Sequence, residues 1–366
     1  MSALKINIVL FGKGNVGKEF LNQVIKIQKN FLENKNIDVR FPIIANSKLA
    51  YFEKDGIDEL WESNFALAAQ PYKLEDIIGF VESHNLENLI AIDVTDSKEL
   101  IRSYIPLIQN GFNIVAANKN ANTLPIDFYK ELRKNLADFE KTFLYEANIS
   151  SGFPVIQTLR DLYSSGEKIT KIRAAFSDSL SHIFNRFSSE ESVFLKVLAD
   201  AGLKGLNQHD SIEDLYRNDI AKKLLILARE IGGNLELSDI KLSTLFPPDL
   251  NLLSSKEEYN TVEKLIVEPY DIAQKTQDDN YVLRYVAEFT VSENKLEVQL
   301  VSEPLSLPVG QQKESEKSFE IYTQSYGKVP IVIQGSGSGK EVLARGVLTD
   351  VLKVVEKIKI TEKVFA

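Results

Sequence analysis

The stretch INIVLFGKGNVGKEF, which runs from Ile6 to Phe20, predicts how the first half of this chain folds. It opens with an apolar run typical of a buried strand, and glycines then follow in the spacing G-x-G-x-x-G before a helical pattern begins. In this motif the first glycine permits a tight turn, the second lets the backbone approach a pyrophosphate, and the third allows close packing of helix on strand. Its position directly after the first strand favours dinucleotide binding over a bare glycine-rich turn. The residues expected to bind the dinucleotide are Gly12, Gly14, Asn15, Val16 and Gly17.

Strand and helix patterns alternate through the rest of the first half. The segments with strand patterns are Asn36–Ala45, Leu89–Val94 and Asn113–Ala116, and those with helical patterns include Leu74–Ser83 and Ser97–Gln109. Such alternation is typical of an α/β fold with a doubly wound parallel sheet. We therefore expect residues 1–147 to form an NAD(P)-binding domain of the Rossmann type.

In the second half the order changes to strands, then helices, then strands again. Helical patterns around Glu190–Ala201 and Asp219–Ile231 are followed by the strand patterns YVLRYVAEFTV and KLEVQLVSE. This order predicts an α+β domain over residues 148–329, whose open sheet could carry an oligomer interface. We expect this domain to bind the substrate and to mediate dimerisation. The charged stretch GQQKESEKSFE, which begins at Gly310, is expected to be a mobile surface loop. The terminal segment, residues 330–366, is expected to return to the nucleotide-binding domain.

Composition narrows the classes of partner. The 366 residues carry a net charge of −9 and contain no cysteine. The negative charge argues against nucleic acid and anionic membranes, since both bind basic surfaces. The absence of cysteine excludes disulfides and thiolate metal sites. No apolar run approaches the roughly 20 residues of a membrane span, so we expect a soluble, cytoplasmic protein.

Turns that follow the predicted strands would lie at the sheet edge where open α/β folds bind ligands. After the second strand, Asn46, Ser47 and Lys48 stand where a carboxylate normally holds the adenosine ribose of NAD. The cation Lys48 therefore favours NADP, unless it is merely solvated. Lys119, in the turn AANKNANT after a later strand, is open to two interpretations, a catalytic lysine or a solvated one.

Two further features also leave alternatives open. Asp219 and Lys223 lie four residues apart on one face of the helical pattern NDIAKKLLILARE. They could form a surface ion pair worth about 0.2–0.5 kcal/mol, or present a carboxylate and an ammonium to a substrate. In the glycine-rich stretch QGSGSGKE, Gly337 could face a phosphate or belong to a flexible connection.

Several stretches, taken in order, resemble the homoserine dehydrogenases, above all the dehydrogenase half of the bifunctional aspartokinase–homoserine dehydrogenases. They are GKGNVG, ANSK, NGFNIVAANKNANT, YEANISSGFPVI, DLYRNDIAKKLLILAREIG and GSGSGKEVLARGVLTDVL. The resemblance spans nearly the whole chain. It implies a homodimeric oxidoreductase that uses NADP or NAD to interconvert L-homoserine and L-aspartate 4-semialdehyde, in threonine and methionine biosynthesis.

The resemblance also implies roles for particular residues. Lys223 matches the family's catalytic lysine, and Lys119 matches the lysine of its NK turn. Asp214 and Asp219 match carboxylates at the substrate. The further residues placed at the cofactor are Thr95, Ser97 and Lys119, and those placed at a monovalent cation, Na⁺ or K⁺, are Glu146, Ile149 and Ser151.

The chemistry of the reaction agrees with these roles. Oxidation of homoserine removes a hydroxyl proton as hydride leaves the carbon, and the reverse reaction protonates a growing alkoxide. A lysine does both when burial or a second cation brings its pKa towards neutrality, and Lys119 would supply that cation to Lys223. The substrate ammonium requires a carboxylate, for which Asp214 and Asp219 are the candidates.

Departures from the family pattern gather in the substrate region. In LNQHDS, Gln208 stands in place of a glutamate and His209 in place of a proline. In AAFSDSLSH, which is expected to be a loop, Asp178 replaces a glycine and His182 replaces a tyrosine. Ser179 keeps the hydroxyl of that loop. Because Gln208 carries no charge, Asp178 either restores the lost negative charge or reshapes the pocket. The two histidines are interpreted as packed or exposed rather than catalytic. Two alternatives stay open: an enzyme for another small amino alcohol or aldehyde, and a cofactor-binding regulatory protein without dehydrogenase activity.

Overall fold

The structure is a computed structural model that describes residues 3–150, 152–189, 197, 212–243, 278, 280–313 and 316–365. At 178–179, 189, 212–218 and 362–365 it describes the backbone alone. The helix predicted at Glu190–Ala201 therefore lies almost wholly outside the described residues, as do Ser151, Gln208 and His209.

The described elements form two compact units, Met1–Phe153 with Ser338–Ala366, and Pro154–Gly337. The strands are β1 (Leu4–Phe11), β2 (Ile37–Ala45), β3 (Leu49–Phe52), β4 (Gln70–Pro71), β5 (Leu89–Asp93), β6 (Asn113–Ala116), β7 (Phe143–Leu144), β8 (Ile169–Ala175), β9 (Ile240–Leu242), β10 (Tyr281–Thr290), β11 (Lys295–Pro304), β12 (Glu316–Thr323) and β13 (Ile331–Ser336). The helices are α1 (Asn15–Lys35), α2 (Trp61–Ala68), α3 (Leu74–Ser83), α4 (Tyr104–Gln109), α5 (Asn120–Thr123), α6 (Ile126–Asp138), α7 (Val155–Ser164), α8 (Asp178–Ser189), α9 (Ile212–Glu230), α10 (Pro308–Gln311) and α11 (Lys340–Phe365). Short 3-10 turns lie at Leu100–Ser103, Glu146–Asn148, Leu237–Asp239 and Val291–Glu293.

The first unit is built on a sheet with the strand order β4-β3-β2-β1-β5-β6-β7. The five strands from β2 to β7 in that order are parallel, which confirms the predicted doubly wound sheet. β3 and β4 add an antiparallel edge that the sequence patterns did not predict. The chain folds back there because the side-chain oxygen of Asn46 accepts hydrogen bonds from the backbone N–H groups of Lys48 and Leu49 and stabilises a tight turn.

One apolar cluster of this unit lies between the sheet and two helices, α1 and α11. Ile6, Ile8 and Leu10 are buried in one apolar cluster with Phe20 of α1 and Val351 of α11. Alternate residues of a strand point to one face, so the sequence of β1 presents these three side chains together to the helices. The last helix of the described chain is thus part of the first unit.

The second unit contains a sheet with the strand order β13-β12-β8-β10-β11-β9. Neighbouring strands are antiparallel except for β11 and β9. One face of the sheet is apolar and carries stacked aromatic pairs. Phe176 stacks on Phe319 with ring centroids 5.7 Å apart, and Phe184 of α8 stacks on Tyr285 at 6.3 Å. The second of these contacts joins helix α8 to the sheet.

The other face of this sheet carries a buried cluster of charges around Arg173. Its guanidinium contacts Glu288 (2.8 Å), Glu320 (3.3 Å) and Glu303. The prediction of a surface loop from Gly310 is therefore wrong, because this stretch contributes the end of α10 and most of β12, and Glu320 is fully buried. A glutamate tolerates that burial because the guanidinium is paired with it across the strands.

Candidate functional site

The glycine turn between β1 and α1 is shaped by two of its three glycines. Gly12 has φ +102°, a conformation that favours glycine. A Cβ on Gly17 would lie 1.9 Å from the Gly12 carbonyl oxygen, whereas a Cβ on Gly14 would meet no atom within 4 Å. Asn15 is exposed and Val16 half-buried at the start of α1. The turn therefore leaves open space beside the first N–H groups of a helix, which is where an anion binds favourably.

The turn after β2 lies beside the glycine turn, since Gly12 N donates to Ala45 O at 2.8 Å. Asn46 Oδ1 accepts hydrogen bonds from the backbone of Lys48 at 2.8 Å and of Leu49 at 2.7 Å, so this amide shapes its own turn. Ser47 and Lys48 are exposed at the tip. An exposed cation in this position is compatible with a ribose 2′-phosphate.

Asp93, the last residue of β5, is only 1% exposed. Its carboxylate accepts hydrogen bonds from Thr95 N (2.8 Å), Thr95 Oγ1 (2.7 Å), Tyr104 Oη (2.8 Å) and Asn118 Nδ2 (2.9 Å). Burial raises the pKa of this carboxyl above its ordinary value, and the four hydrogen bonds oppose the shift. Asp93 thus ties the loop after β5 to the loop after β6.

Thr95 and Ser97, which the family resemblance places at the cofactor, lie in the loop after β5. A Cβ on Gly12 would lie 2.9 Å from Thr95 Cγ2, so this loop adjoins the glycine turn. Ser97 N donates to Thr95 Oγ1 at 3.1 Å, and Ser97 Oγ accepts from Leu100 N at 3.1 Å. The helix predicted from Ser97 is wrong at its start, because Ser97 precedes a 3-10 turn that begins at Leu100.

Lys119 follows β6 between two asparagines that bind the preceding loop. Asn118 Nδ2 donates to Ser97 O at 3.0 Å, and Asn120 Nδ2 donates to Asp96 O at 3.1 Å. Asn118 Oδ1 accepts from both the backbone N–H and the side chain of Asn120, at 3.0 and 2.9 Å. Lys119 itself is half-buried. The predicted site residues that these loops bring together in the first unit are Gly12, Thr95, Ser97 and Lys119.

The segment expected to bind a monovalent cation begins with the 3-10 turn at Glu146. This residue is 6% exposed, and its N–H donates to Asp350 Oδ2 of α11 at 2.8 Å. Ile149 is buried, and its N–H donates to Glu146 O at 3.2 Å, while Ser151 lies outside the described residues. In the part of the chain that the structure describes, no cluster of three or more His, Asp or Glu side chains could hold a metal ion.

Lys223 and Asp219 form an ion pair on α9, which begins earlier than predicted, at Ile212. Lys223 Nζ lies 2.7 Å from Asp219 Oδ2, and the two side chains are 12% and 37% exposed. The same ammonium lies 3.5 Å from Phe176 O and 5.3 Å from the centroid of the Phe176 ring. Since Phe176 directly follows β8, Lys223 is directed at the carboxyl end of that strand. The Lys223 ammonium is thus shielded more than that of an ordinary surface ion pair, whereas Asp219 remains partly exposed.

The other residues expected at the substrate lie on helices. Asp178 and Ser179 begin α8, so the loop predicted for them is wrong. Aspartate and serine are favoured at the start of a helix because they interact well with its first N–H groups. Asp214 lies in α9, and for all three residues the structure describes the backbone alone.

His182 and Gly337 lie at different places in the second unit, His182 in the wall of a cavity and Gly337 just after the end of β13. His182 is half-buried and lines a cavity of about 1240 Å³ together with Arg284 and Gln312. Gly337 follows β13, and its carbonyl accepts a hydrogen bond at 3.1 Å from Lys317, which is only 4% exposed.

Sequence reasoning missed Asp93, Asn118 and Asp350. An acidic residue at the end of the apolar strand LIAID was the available signal for Asp93, and the asparagine-rich turn was the signal for Asn118. Asp350 had none, because its partner Glu146 lies 204 residues away in the chain.

A glycine turn on a doubly wound sheet, together with a second α+β unit that shelters a lysine, is typical of the dinucleotide-binding class of proteins. The sequence profile "Homoserine dehydrogenase" matches residues 154–352, and "Homoserine dehydrogenase, NAD binding domain" matches residues 12–146. The chain belongs to the homoserine dehydrogenase family.

Curated relatives are longer than this chain. A bifunctional aspartokinase/homoserine dehydrogenase of Haemophilus influenzae is 34% identical over 96% of this chain and 43% of its own length. The chloroplastic bifunctional aspartokinase/homoserine dehydrogenase 1 of Zea mays is 33% identical over 97% of this chain and 39% of its own length. The chain thus spans less than half the length of these relatives.

Solved structures share the fold. A Candida auris protein of unknown function superposes with a TM-score of 0.84 at 29% identity and covers 97% of this chain and 99% of its own. A hyperthermophilic archaeal homoserine dehydrogenase in complex with NADPH has a TM-score of 0.71 at 20% identity and covers 97% and 98%. Among the described helices, none combines the length and apolarity needed to cross a membrane.

Proposed function

We propose that this protein is an NADP- or NAD-dependent homoserine dehydrogenase that interconverts L-homoserine and L-aspartate 4-semialdehyde. The observation that carries the proposal is the ion pair of Asp219 with the largely buried Lys223 in a chain of this family. The names of the bifunctional relatives, and the NADPH bound to the archaeal neighbour, support the same activity.

The residues of the first unit fit a dinucleotide. Gly14 borders open space at the N terminus of α1, where a pyrophosphate would meet backbone N–H groups. The exposed Lys48 supports a preference for NADP, because an ammonium pairs with a 2′-phosphate. The bound nicotinamide supplies the hydride chemistry of the reaction. Thr95 and Ser97, in the adjoining loop, are proposed to contact its nicotinamide side.

Lys223 is the proposed acid and base. Its ammonium is held from two directions, by Asp219 at 2.7 Å and by the Phe176 carbonyl at 3.5 Å, so the proton is presented at a defined place. In its neutral form the amine accepts the substrate hydroxyl proton, and it returns that proton to the alkoxide in the reverse direction. Lys119 is proposed as the second cation. Asp219 would also pair with the substrate ammonium.

Further substrate contacts are proposed from the resemblance. They are made by Asp214, Gln208, Asp178 and Ser179. The substitution at Gln208 removes a negative charge that Asp178, at the start of α8, is proposed to restore. This part of the proposal decides whether homoserine remains the preferred substrate.

A monovalent cation, Na⁺ or K⁺, is proposed to bind backbone oxygens of the segment that includes Glu146, Ile149 and Ser151. The bond between Glu146 N and Asp350 supports this, because it fixes the backbone from which the oxygens project. A homodimer located in the cytoplasm is also proposed. Activity measured against Na⁺ and K⁺ concentration tests the cation, and sedimentation equilibrium tests the dimer.

The decisive experiment measures reduction of NADP and NAD by L-homoserine from the absorbance of the reduced nicotinamide. Lys223→Ala is expected to lower kcat about 10²–10⁴-fold, as loss of a general acid–base group does. Lys222→Ala is the matched control, since its side chain leaves the same helix at a different angle. Equal activity of the two variants would contradict the role of Lys223.

The same assay decides between homoserine and the alternatives. A rate with another small amino alcohol, but none with homoserine, would identify a diverged enzyme. Binding of NADPH without a rate on any such substrate would identify a regulatory protein. If activity towards homoserine appears only after Gln208→Glu and Asp178→Gly, the altered pocket has left its ancestral substrate.

A further inference from the structure

Asp93 is a buried carboxylate for which the proposed chemistry has no direct use. Its oxygens accept hydrogen bonds from three places: Thr95 in its own loop, Tyr104 in α4, and Asn118 in the loop after β6. Burial of a carboxylate without such donors would be strongly unfavourable. The side chain is therefore a junction between two loops at the ligand edge of the sheet.

We infer that Asp93 is a positioning residue that acts through Asn118 to fix the loop carrying Lys119. The inference deepens the proposed function and rests on it where it concerns turnover. Asp93 touches neither substrate nor cofactor in this role. It determines where the backbone of Lys119 lies, and thereby where its ammonium can reach.

The amide of Asn118 has a single satisfactory orientation. Its Nδ2 donates to Asp93 Oδ2 at 2.9 Å and to Ser97 O at 3.0 Å, and its Oδ1 accepts two hydrogen bonds from Asn120. Two donors and two acceptor sites are the full capacity of an asparagine side chain. A rotation of the amide would break all four bonds, so the network admits one arrangement.

Lys119 is consequently held on both sides. Asn118 precedes it and is bound to Asp93 and Ser97, while Asn120 follows it and donates to Asp96 O at 3.1 Å. Both attachments lead to the loop after β5. Displacement of a reacting group by about 1 Å can lower a rate by about 10²-fold, so the anchoring of this backbone bears directly on catalysis.

Asp93→Asn tests the junction with little change in shape. The new amide keeps an oxygen for the two donors of Thr95 and places its NH₂ group against Asn118 Nδ2, so that donor faces donor. The Tyr104 hydroxyl can rotate to accept from that NH₂ group. Tyr104→Phe is the matched control, because it removes a donor from the same carboxylate without touching Asn118.

The experiment compares Asp93→Asn, Asn118→Ala and Tyr104→Phe in the full chain. It measures kcat and KM for homoserine, the Kd of NADPH, and hydrogen exchange of the amides from Asn120 to Thr123. Asp93→Asn and Asn118→Ala are expected to lower kcat by about 10²-fold and to speed exchange in this segment. Tyr104→Phe is expected to keep kcat within about twofold of wild type.

A double variant tests whether kcat depends on the bond between residues 93 and 118, which a purely structural role of Asp93 would not predict. Asp93→Asn combined with Asn118→Asp places an acceptor opposite the new NH₂ group and restores that bond, although the bond to Ser97 O stays lost. Recovery of part of kcat is therefore expected. If Asp93→Asn is unfolded, Asn118→Ala alone carries the test from the other side of the junction.

The inference is overturned if Asp93→Asn and Asn118→Ala retain wild-type kcat and exchange, or if Tyr104→Phe loses as much as they do. The exchange measurement separates this failure from failure of the proposed function. If wild type does not turn over homoserine, the proposed function fails, whereas faster exchange in Asp93→Asn than in Tyr104→Phe still supports the positioning of the loop.

Discussion

Replacing Gly14 and Gly17 by alanine, one at a time, separates a glycine that the ligand requires from one that the fold requires. The two residues lie three positions apart in the same turn, yet their surroundings are opposite. A Cβ on Gly17 would meet backbone, and a Cβ on Gly14 would meet no atom within 4 Å. The two variants should therefore fail in different assays.

The Gly17→Ala variant is expected to lose stability. Its Cβ would lie 1.9 Å from Gly12 O and 3.1 Å from Val94 Cγ2. Carbon–oxygen contacts normally begin near about 3.3 Å, so the helix and the turn must separate by about 1.4 Å. Because the obstacle is backbone and cannot rotate away, the cost should reach the upper end of about 1–3 kcal/mol for overpacking. At roughly 2–4 °C per kcal/mol, Tm should fall by roughly 6–12 °C.

The Gly14→Ala variant is expected to keep its stability and lose its cofactor. Gly14 has φ −72° and ψ −163°, an extended conformation that alanine adopts without strain. The free energy of unfolding should therefore stay within about 0.5 kcal/mol of wild type. The new methyl group occupies the space that a pyrophosphate needs, so the Kd of NADPH should rise about tenfold or more, which is about 1.4 kcal/mol.

Two measurements suffice, thermal unfolding without ligand and NADPH titration followed by nicotinamide fluorescence. Wild-type affinity in Gly14→Ala would refute the assignment of the open space to the pyrophosphate. A wild-type Tm in Gly17→Ala would show that the turn relaxes at little cost and that the steric argument is wrong.

Four further predictions concern charges. Burial raises the pKa of Asp93 above its unfolded value, so the folded state binds this proton more tightly than the unfolded state. Wild type should therefore gain stability relative to Asp93→Asn as the pH falls from the folded pKa towards about 4. Urea unfolding at a series of pH values measures this difference. Arg173→Met removes the guanidinium that contacts three carboxylates and should cost about 3–5 kcal/mol in denaturant unfolding. Asp350→Ala removes the acceptor of Glu146 N and should cost about 1–3 kcal/mol, with a weaker response of activity to Na⁺ or K⁺. Lys48→Ala should raise KM for NADP about tenfold and leave KM for NAD unchanged.

Each of these has a contrary outcome. A pH-independent difference between wild type and Asp93→Asn would mean that the hydrogen bonds cancel the effect of burial. Arg173→Met as stable as wild type would show that the glutamates rearrange into water. An unchanged cation response in Asp350→Ala would remove the support for the cation segment, and equal effects on NADP and NAD would remove Lys48 from the 2′-phosphate.

Elements with a complete local signal were predicted with their bounds. Helix α3 at Leu74–Ser83 and strand β6 at Asn113–Ala116 agree with the sequence patterns residue for residue. The parallel sheet followed from the alternation of strands and helices, and the glycine turn followed from its spacing after β1. In these cases the information lies within one element or between neighbours in the chain.

The antiparallel edge of β3 and β4 was not predicted, although the Asn46 turn that begins it is a local feature. Strand β12 was not predicted either, because its stability comes from distant partners. The charged stretch from Gly310 was predicted to be solvated, because the sequence does not show that Arg173 pairs with Glu320, 147 residues further along the chain. Asp178 and Ser179 were predicted to lie in a loop, because the family pattern has a glycine in this stretch. They begin helix α8 instead, and this helix is stabilised by packing on the distant strand β10.

The candidate site divides in the same way. Sequence identified Lys223 and Asp219 as a pair on one helical face and Lys119 as a lysine after a strand, but it left both open between solvated and functional interpretations. Tertiary structure decided that Lys223 is shielded beside Phe176 and that the Lys119 loop is anchored to Asp93 through Asn118. Spacing along a chain fixes which side chains share a face, whereas burial and hydrogen-bond partners depend on segments that only folding brings together.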